Sequence, residues 1–190
     1  MNMANIITKY IIDGHSFEVE TKGIIGLITE DAKFKWAMDI YAAEGEYDGQ
    51  RTNPKFSFAQ LAATENFKFD QEFTWEKATA YDDEIEDWVG DFLIFDASYF
   101  ECNLQIKRVG VQEFLVAVKG KVNMAWATAP EQHFVDFEIV QTLPFNGILC
   151  EIDDAQKSKD LSEKYLSLEN LEWNSIKDNP DWSNSWYLPK

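Results

Sequence analysis

The chain has 190 residues, with 45% apolar and 15% aromatic residues, a composition that excludes disorder and collagen-like repeats and fits one domain able to bury about 70% of its unfolded surface. Its formal net charge is −17, far beyond the magnitude of about 2–8 that suffices for solubility, so the surface repels nucleic acids and anionic membranes and attracts cations and basic proteins.

The pattern along the chain is that of strands. Ile6–Ile12 is rich in β-branched residues and is followed by Asp13-Gly14 and an alternating run from His15 to Glu20. Asp-Gly between two such runs predicts a hairpin closed by a type I′ turn, because both central positions then need positive φ. An apolar run interrupted by Gly23 and Gly26 reaches Ile28 and reads as a bulged strand. Lys33–Tyr41 alternates, with Phe34, Trp36, Met38 and Ile40 on one face. Ala42–Pro54, with two glycines, three acids, Asn53 and Pro54, reads as an exposed loop, and Phe56–Ala63 fits a strand or a short helix.

Asn66–Trp75 alternates again, with Phe67, Phe69, Phe73 and Trp75 on one side. Tyr81–Trp88 is an acidic run expected to form a loop or one helical turn, and Asp91–Asp96 a short strand. The clearest pattern is Tyr99–Trp126, where Phe100, Cys102, Leu104 and Ile106 share one face and Gly110 and Gly120 fall at hairpin spacing. It predicts a meander of three antiparallel strands with Phe100, Leu104, Ile106, Val116 and Met124 in the core. Val135–Ile139 gives another strand and Phe145–Ile152 one more after Pro144. Asp160-Leu161-Ser162-Glu163 has the form of a capping box opening a short amphipathic helix. Residues 179–190 read as an irregular tail. The expected fold is therefore mainly β: an antiparallel sandwich or strongly curved sheet of about nine strands, with one short C-terminal helix, in a single domain spanning residues 1–190.

Motifs for catalysis are absent. There is no G-x-S-x-G, no phosphate-binding or dinucleotide-binding glycine pattern, and no H-E-x-x-H. His15 and His133 read as surface residues, and Cys102 and Cys150 as buried free thiols. Two acids across a cleft suffice for a glycosidase, but among 34 acids such a pair arises by chance. The run Asp82–Asp91 lacks the alternating spacing of a calcium loop. No enzyme, metal site or cofactor is expected. No signal-peptide pattern or membrane span is seen, and a cytoplasmic location is expected.

The charge is concentrated. Residues 65–101 hold twelve acids against two lysines, a net of −10, whereas residues 102–150 balance at four against four. This acidic stretch carries interleaved aromatics, and its centre supplies the candidate partner-binding residues Asp82, Asp83, Glu84, Glu86, Asp87, Trp88 and Asp91. Trp and Tyr are the side chains most often used as interface anchors. The reading that follows is an acidic protein-binding inhibitor, in composition similar to bacterial immunity proteins, which neutralises a basic toxin or nuclease by covering its active site. The competing reading is a carbohydrate- or small-ligand-binding β-domain that uses exposed tryptophans.

Overall fold

The computed structural model describes residues 8–29, 31, 33–62, 73–75, 81–82, 87–88, 90–95, 99–110, 112–124, 133–152, 154–165, 171–175 and 185–189. The chain is mainly β with one short helix, as expected. Its first strands are β1 (Lys9–Ile12), β2 (His15–Ser16), β3 (Val19–Ile28), β4 (Phe34–Ala42), β5 (Gly45–Tyr47), β6 (Gln50–Thr52) and β7 (Lys55–Ala62). The middle holds β8 (Phe73–Trp75), β9 (Tyr81–Asp82), β10 (Asp87–Trp88) and β11 (Gly90–Leu93). The remainder is β12 (Phe100–Arg108), β13 (Glu113–Asn123), β14 (Phe134–Cys150), α1 (Ala155–Tyr165), β15 (Leu171–Ser175) and β16 (Ser185–Pro189).

One large mixed sheet runs in the order β11-β7-β4-β3-β14-β13-β12-β8, and β11 and β8 are left as its unjoined ends. Among the described residues only β3 against β14 is parallel; the other pairings are antiparallel. The 17-residue β14 is the hinge of the architecture. Its first part, to Pro144, pairs with β13 and β1, and its second part, from Phe145, pairs with β3 and β16. The sheet therefore folds over along β14, and its two halves face each other as in a sandwich.

Aromatic rings fill the space between the halves. Phe56 on β7 meets Phe100 on β12 and Phe137 on β14 at centroid distances of 5.6 and 6.0 Å. Trp36 on β4 meets Phe114 on β13 at 5.5 Å, and Phe92 on β11 meets Phe137 at 4.8 Å. Period-2 alternation supplies these rings, since every second residue of β4, and of β12 from Phe100 to Ile106, is buried. Phe100, Leu104, Ile106 and Val116 are core residues, and Met124 packs against the core half-buried. Cys102 and Cys150 are buried and free. Burial pushes their thiols up to about 12 and about 11, which keeps both protonated and unreactive.

Some local expectations hold and others are corrected. The Asp13-Gly14 turn forms with φ of 48° and 78°, as a type I′ hairpin requires. Asp48-Gly49 does the same at 49° and 76°, so the stretch read as an exposed loop contains the β5–β6 hairpin. Phe56–Ala63 resolves in favour of a strand. The three-stranded meander is two strands, because β13 runs straight through Gly120. Phe114, Val116, Val118 and Val122 keep one phase across that glycine, which a turn has no need to preserve. The glycine is required by closeness: a Cβ there overlaps the Glu101 carbonyl oxygen and comes within 2.9 Å of Cys102 Cβ. Gly120→Ala is expected to lower stability by about 1–3 kcal/mol through forced displacement of β12, measured as a lower urea midpoint with unchanged m-value.

Pro144 starts no new strand. It lies inside β14 opposite Glu113, where β13 begins and the ladder on that side ends. A register shift between Phe145 and Ile148 then carries β14 into the second half. Helix α1 begins before the expected capping box. Asp154 accepts from the Lys157 amide at 2.9 Å as the N-cap, and Asp160 lies within the helix, accepting from Gln156 Nε2. Its inner face carries the buried Ser158, Leu161 and Ser162, and Tyr165 stacks 5.0 Å from Phe34. Residues 185–189, expected to be irregular, form β16, which extends the sheet against β14 and pairs with β15.

Candidate functional site

The acidic segment joins the two free ends of the sheet. Strand β8 pairs with β12 at one end, β11 pairs with β7 at the other, and the β9–β10 hairpin lies between them in sequence. Tyr81–Asp82 and Asp87–Trp88 are thus strand residues, where a loop or helical turn was expected, with backbone register Asp87↔Asp82 and Trp88↔Tyr81. Asp83, Glu84 and Glu86 lie outside the described residues, as do Phe67 and Phe69. Like-charged residues at directly opposed positions destabilise a strand pair.

Asp91 is the predicted site residue whose side chain is described. It is exposed on the outer face of β11, and the register Asp91↔Ser57↔Asp39 places it in one row with Asp39 of β4. Two strand spacings separate these acids by about 10 Å. The next row is Leu93↔Lys55↔Tyr41. Tyr41 donates its hydroxyl to Asp39 at 2.9 Å, and Lys55 Nζ lies 5.6 Å from the centre of the Tyr41 ring. Burial, the Asp39 hydrogen bond and the charges of Asp39 and Asp91 push the Tyr41 hydroxyl up to about 12. Both carboxylates therefore act on one phenol. Leu93 is 39% exposed beside them.

This edge is firmly held. Phe92, the neighbour of Asp91, is fully buried against Phe56 and Phe137, and the Thr52 hydroxyl donates to the Ile94 carbonyl just past β11. Asp39, Tyr41 and Leu93 were missed by sequence reasoning. Alternation puts Asp39 and Tyr41 on the outer face of β4, but only the register with β7 and β11 brings them to Asp91.

The outer face of the other half is charge-balanced. Glu101, Lys121 and Asp136 share one row, and Lys9 pairs with Glu138 at 2.7 Å. His15 and His133 are exposed, and among the described residues no group of three potential metal ligands is assembled. Trp36 is fully buried and unable to stack on a sugar. The side chains of Trp75, Trp88 and Trp186 are not described, and Trp126 and Trp182 lie outside the described residues. Among the described residues no helix is long and apolar enough to cross a membrane.

One carboxylate is committed locally. Asp31, in the β3–β4 connection, accepts from the Thr29 hydroxyl and pairs with Lys33 at 2.9 Å. The Thr29 hydrogen bond, followed by Lys33, holds its carboxyl down at about 2. A depressed folded pKa stabilises above the usual carboxylate range, and the contribution is lost as pH falls through about 2. Thr29→Ala is expected to return Asp31 toward the ordinary value, read by NMR titration of its side-chain carboxyl carbon; an unmoved titration would show that Lys33 alone sets it.

Comparison with protein-family models, curated proteins and solved structures gives no match.

Proposed function

We propose that this chain is a protein-binding inhibitor of the immunity type, which neutralises a basic toxin or nuclease by covering its active site. The observation that carries the reading is the placement of charge: a net of −10 in residues 65–101, in the segment that joins the free sheet ends. Asp91 and Asp39 continue that charge onto a rigid outer face that also offers Tyr41 and the exposed Leu93. A nuclease site must attract phosphates, so it is electropositive, and an acidic surface competes for it and gains a steered on-rate. Asp82, Asp83, Glu84, Glu86, Asp87 and Asp91 supply the complementary charge, and Trp88 the aromatic anchor. Asp39 extends the set. Phe92, packed on Phe56 and Phe137, holds the strand that carries Asp91 in place.

The reading is tested by mixing the purified chain with a panel of cationic nucleases and following both co-elution and residual nuclease activity at low and high salt. A complex that forms at low salt, weakens on screening and suppresses cleavage is expected. No salt-sensitive complex with any member, together with no toxin gene beside the chain's own, would sink the idea.

A further inference from the structure

On the charge-balanced outer face a groove of about 420 Å³ opens over β12, β13 and β14. Its cause is a single small side chain. In the row Gln105↔Ala117↔Val140, Ala117 stands where long or β-branched residues are the rule on an exposed strand face, and it leaves a hollow between its neighbours. The adjoining row is Asn103↔Lys119↔Glu138, so polar side chains line the groove beside an apolar floor of Ala117 and Val140.

The state of these groups is informative. Glu138 is neutralised by Lys9 at 2.7 Å, a partner outside the groove lining. Lys119 makes no ion pair among the described residues, and the carboxamides of Asn103 and Gln105 make no hydrogen bond among them. One ammonium and two carboxamides therefore converge on a hollow of the volume that small-molecule sites occupy, with an apolar patch beneath. A single uncommitted cation on a body of charge −17 matches a monoanion better than a phosphate dianion.

We propose that this groove binds a small organic carboxylate with a short apolar stem. The carboxylate meets Lys119 and the Asn103 amide, the stem covers Ala117 and Val140, and Gln105 closes the side. Such a carboxylate belongs either to a free acid or to the C-terminal residue of a peptide. The proposal does not rest on the inhibitor reading.

The test is a heteronuclear NMR titration of the full chain with isovalerate, with its neutral amide, with inorganic phosphate, and with Gly-Gly-Val bearing a free or an amidated C-terminus. Isovalerate is expected to give saturable shifts centred on residues 103–105, 117–119 and 138–140, and its amide none. Lys119→Gln, at an exposed side chain without an ion pair among the described residues, should weaken binding at least tenfold. Ala117→Val should abolish it by filling the hollow while preserving or raising the melting temperature, because a β-branched residue suits a strand. Tighter binding of free Gly-Gly-Val than of isovalerate identifies a peptide terminus as the source, and the reverse a free acid. The proposal is overturned if isovalerate and its amide act alike, if phosphate binds more tightly than isovalerate, or if Lys119→Gln binds as the parent does.

Discussion

Replacing Asp82, Asp83, Glu86 and Asp87 together by lysine should weaken the complex with a basic partner by about three orders of magnitude or more, while the fold survives. The four reversals take the net charge from −17 to −9 and turn the centre of the proposed interface from attractive to repulsive. Close charge pairs across interfaces of this kind couple by about 1.5–7 kcal/mol, so even partial engagement of the four gives a loss of that size. The fold is expected to be spared because carboxylate side chains are almost never part of a buried core unless paired. Asp82 and Asp87 are register partners, so their joint reversal exchanges one like-charged pair for another and leaves the balance of the hairpin where it was. Isothermal titration beside a circular-dichroism melt separates the two effects. Retained affinity with an unchanged melt would move the interface away from this segment.

Phe56→Ala should cost about 3–5 kcal/mol, a large part of the total stability of an ordinary domain. Phe56 is fully buried, and its ring lies 5.3 Å from Phe58, 5.5 Å from Phe92, 5.6 Å from Phe100 and 6.0 Å from Phe137. It joins β7 and β11 in one half of the sheet to β12 and β14 in the other. Truncation removes the apolar area and leaves a cavity that four rings on separate strands cannot easily collapse into. The urea midpoint should fall accordingly. A loss below about 1 kcal/mol would mean that the halves are not held together by these rings. The site is affected as well, since Phe92 anchors the strand that carries Asp91.

The strand faces were legible because burial leaves a period-2 trace within a few residues. Phe34 to Ile40 and Phe100 to Ile106 show it without interruption, and Asp13-Gly14 announces its turn by the φ values its residues tolerate. What was misread depends on partners distant in sequence. Gly120 looks like a turn glycine until Cys102 is seen lying against it. Pro144 looks like a strand boundary until β14 is seen changing neighbours there. The Asp48-Gly49 turn was hidden because strands as short as β5 and β6 leave too few residues for alternation to register. The same limit governed the site. The acidic run is visible as composition, and Asp39 joins Asp91 only through the pairing of β4 with β7 and of β7 with β11, a register that no local pattern carries.

The central claim is that the acidic segment and the adjoining β11 face form the surface a basic partner covers. Amide hydrogen exchange of the chain, free and in complex with a cationic nuclease it inhibits, tests this most directly. Slowed exchange on complex formation is predicted across residues 81–93 and at β4 around Asp39, with β12 and β13 unchanged. Unchanged exchange across residues 81–93, with slowing confined to other strands, would contradict it.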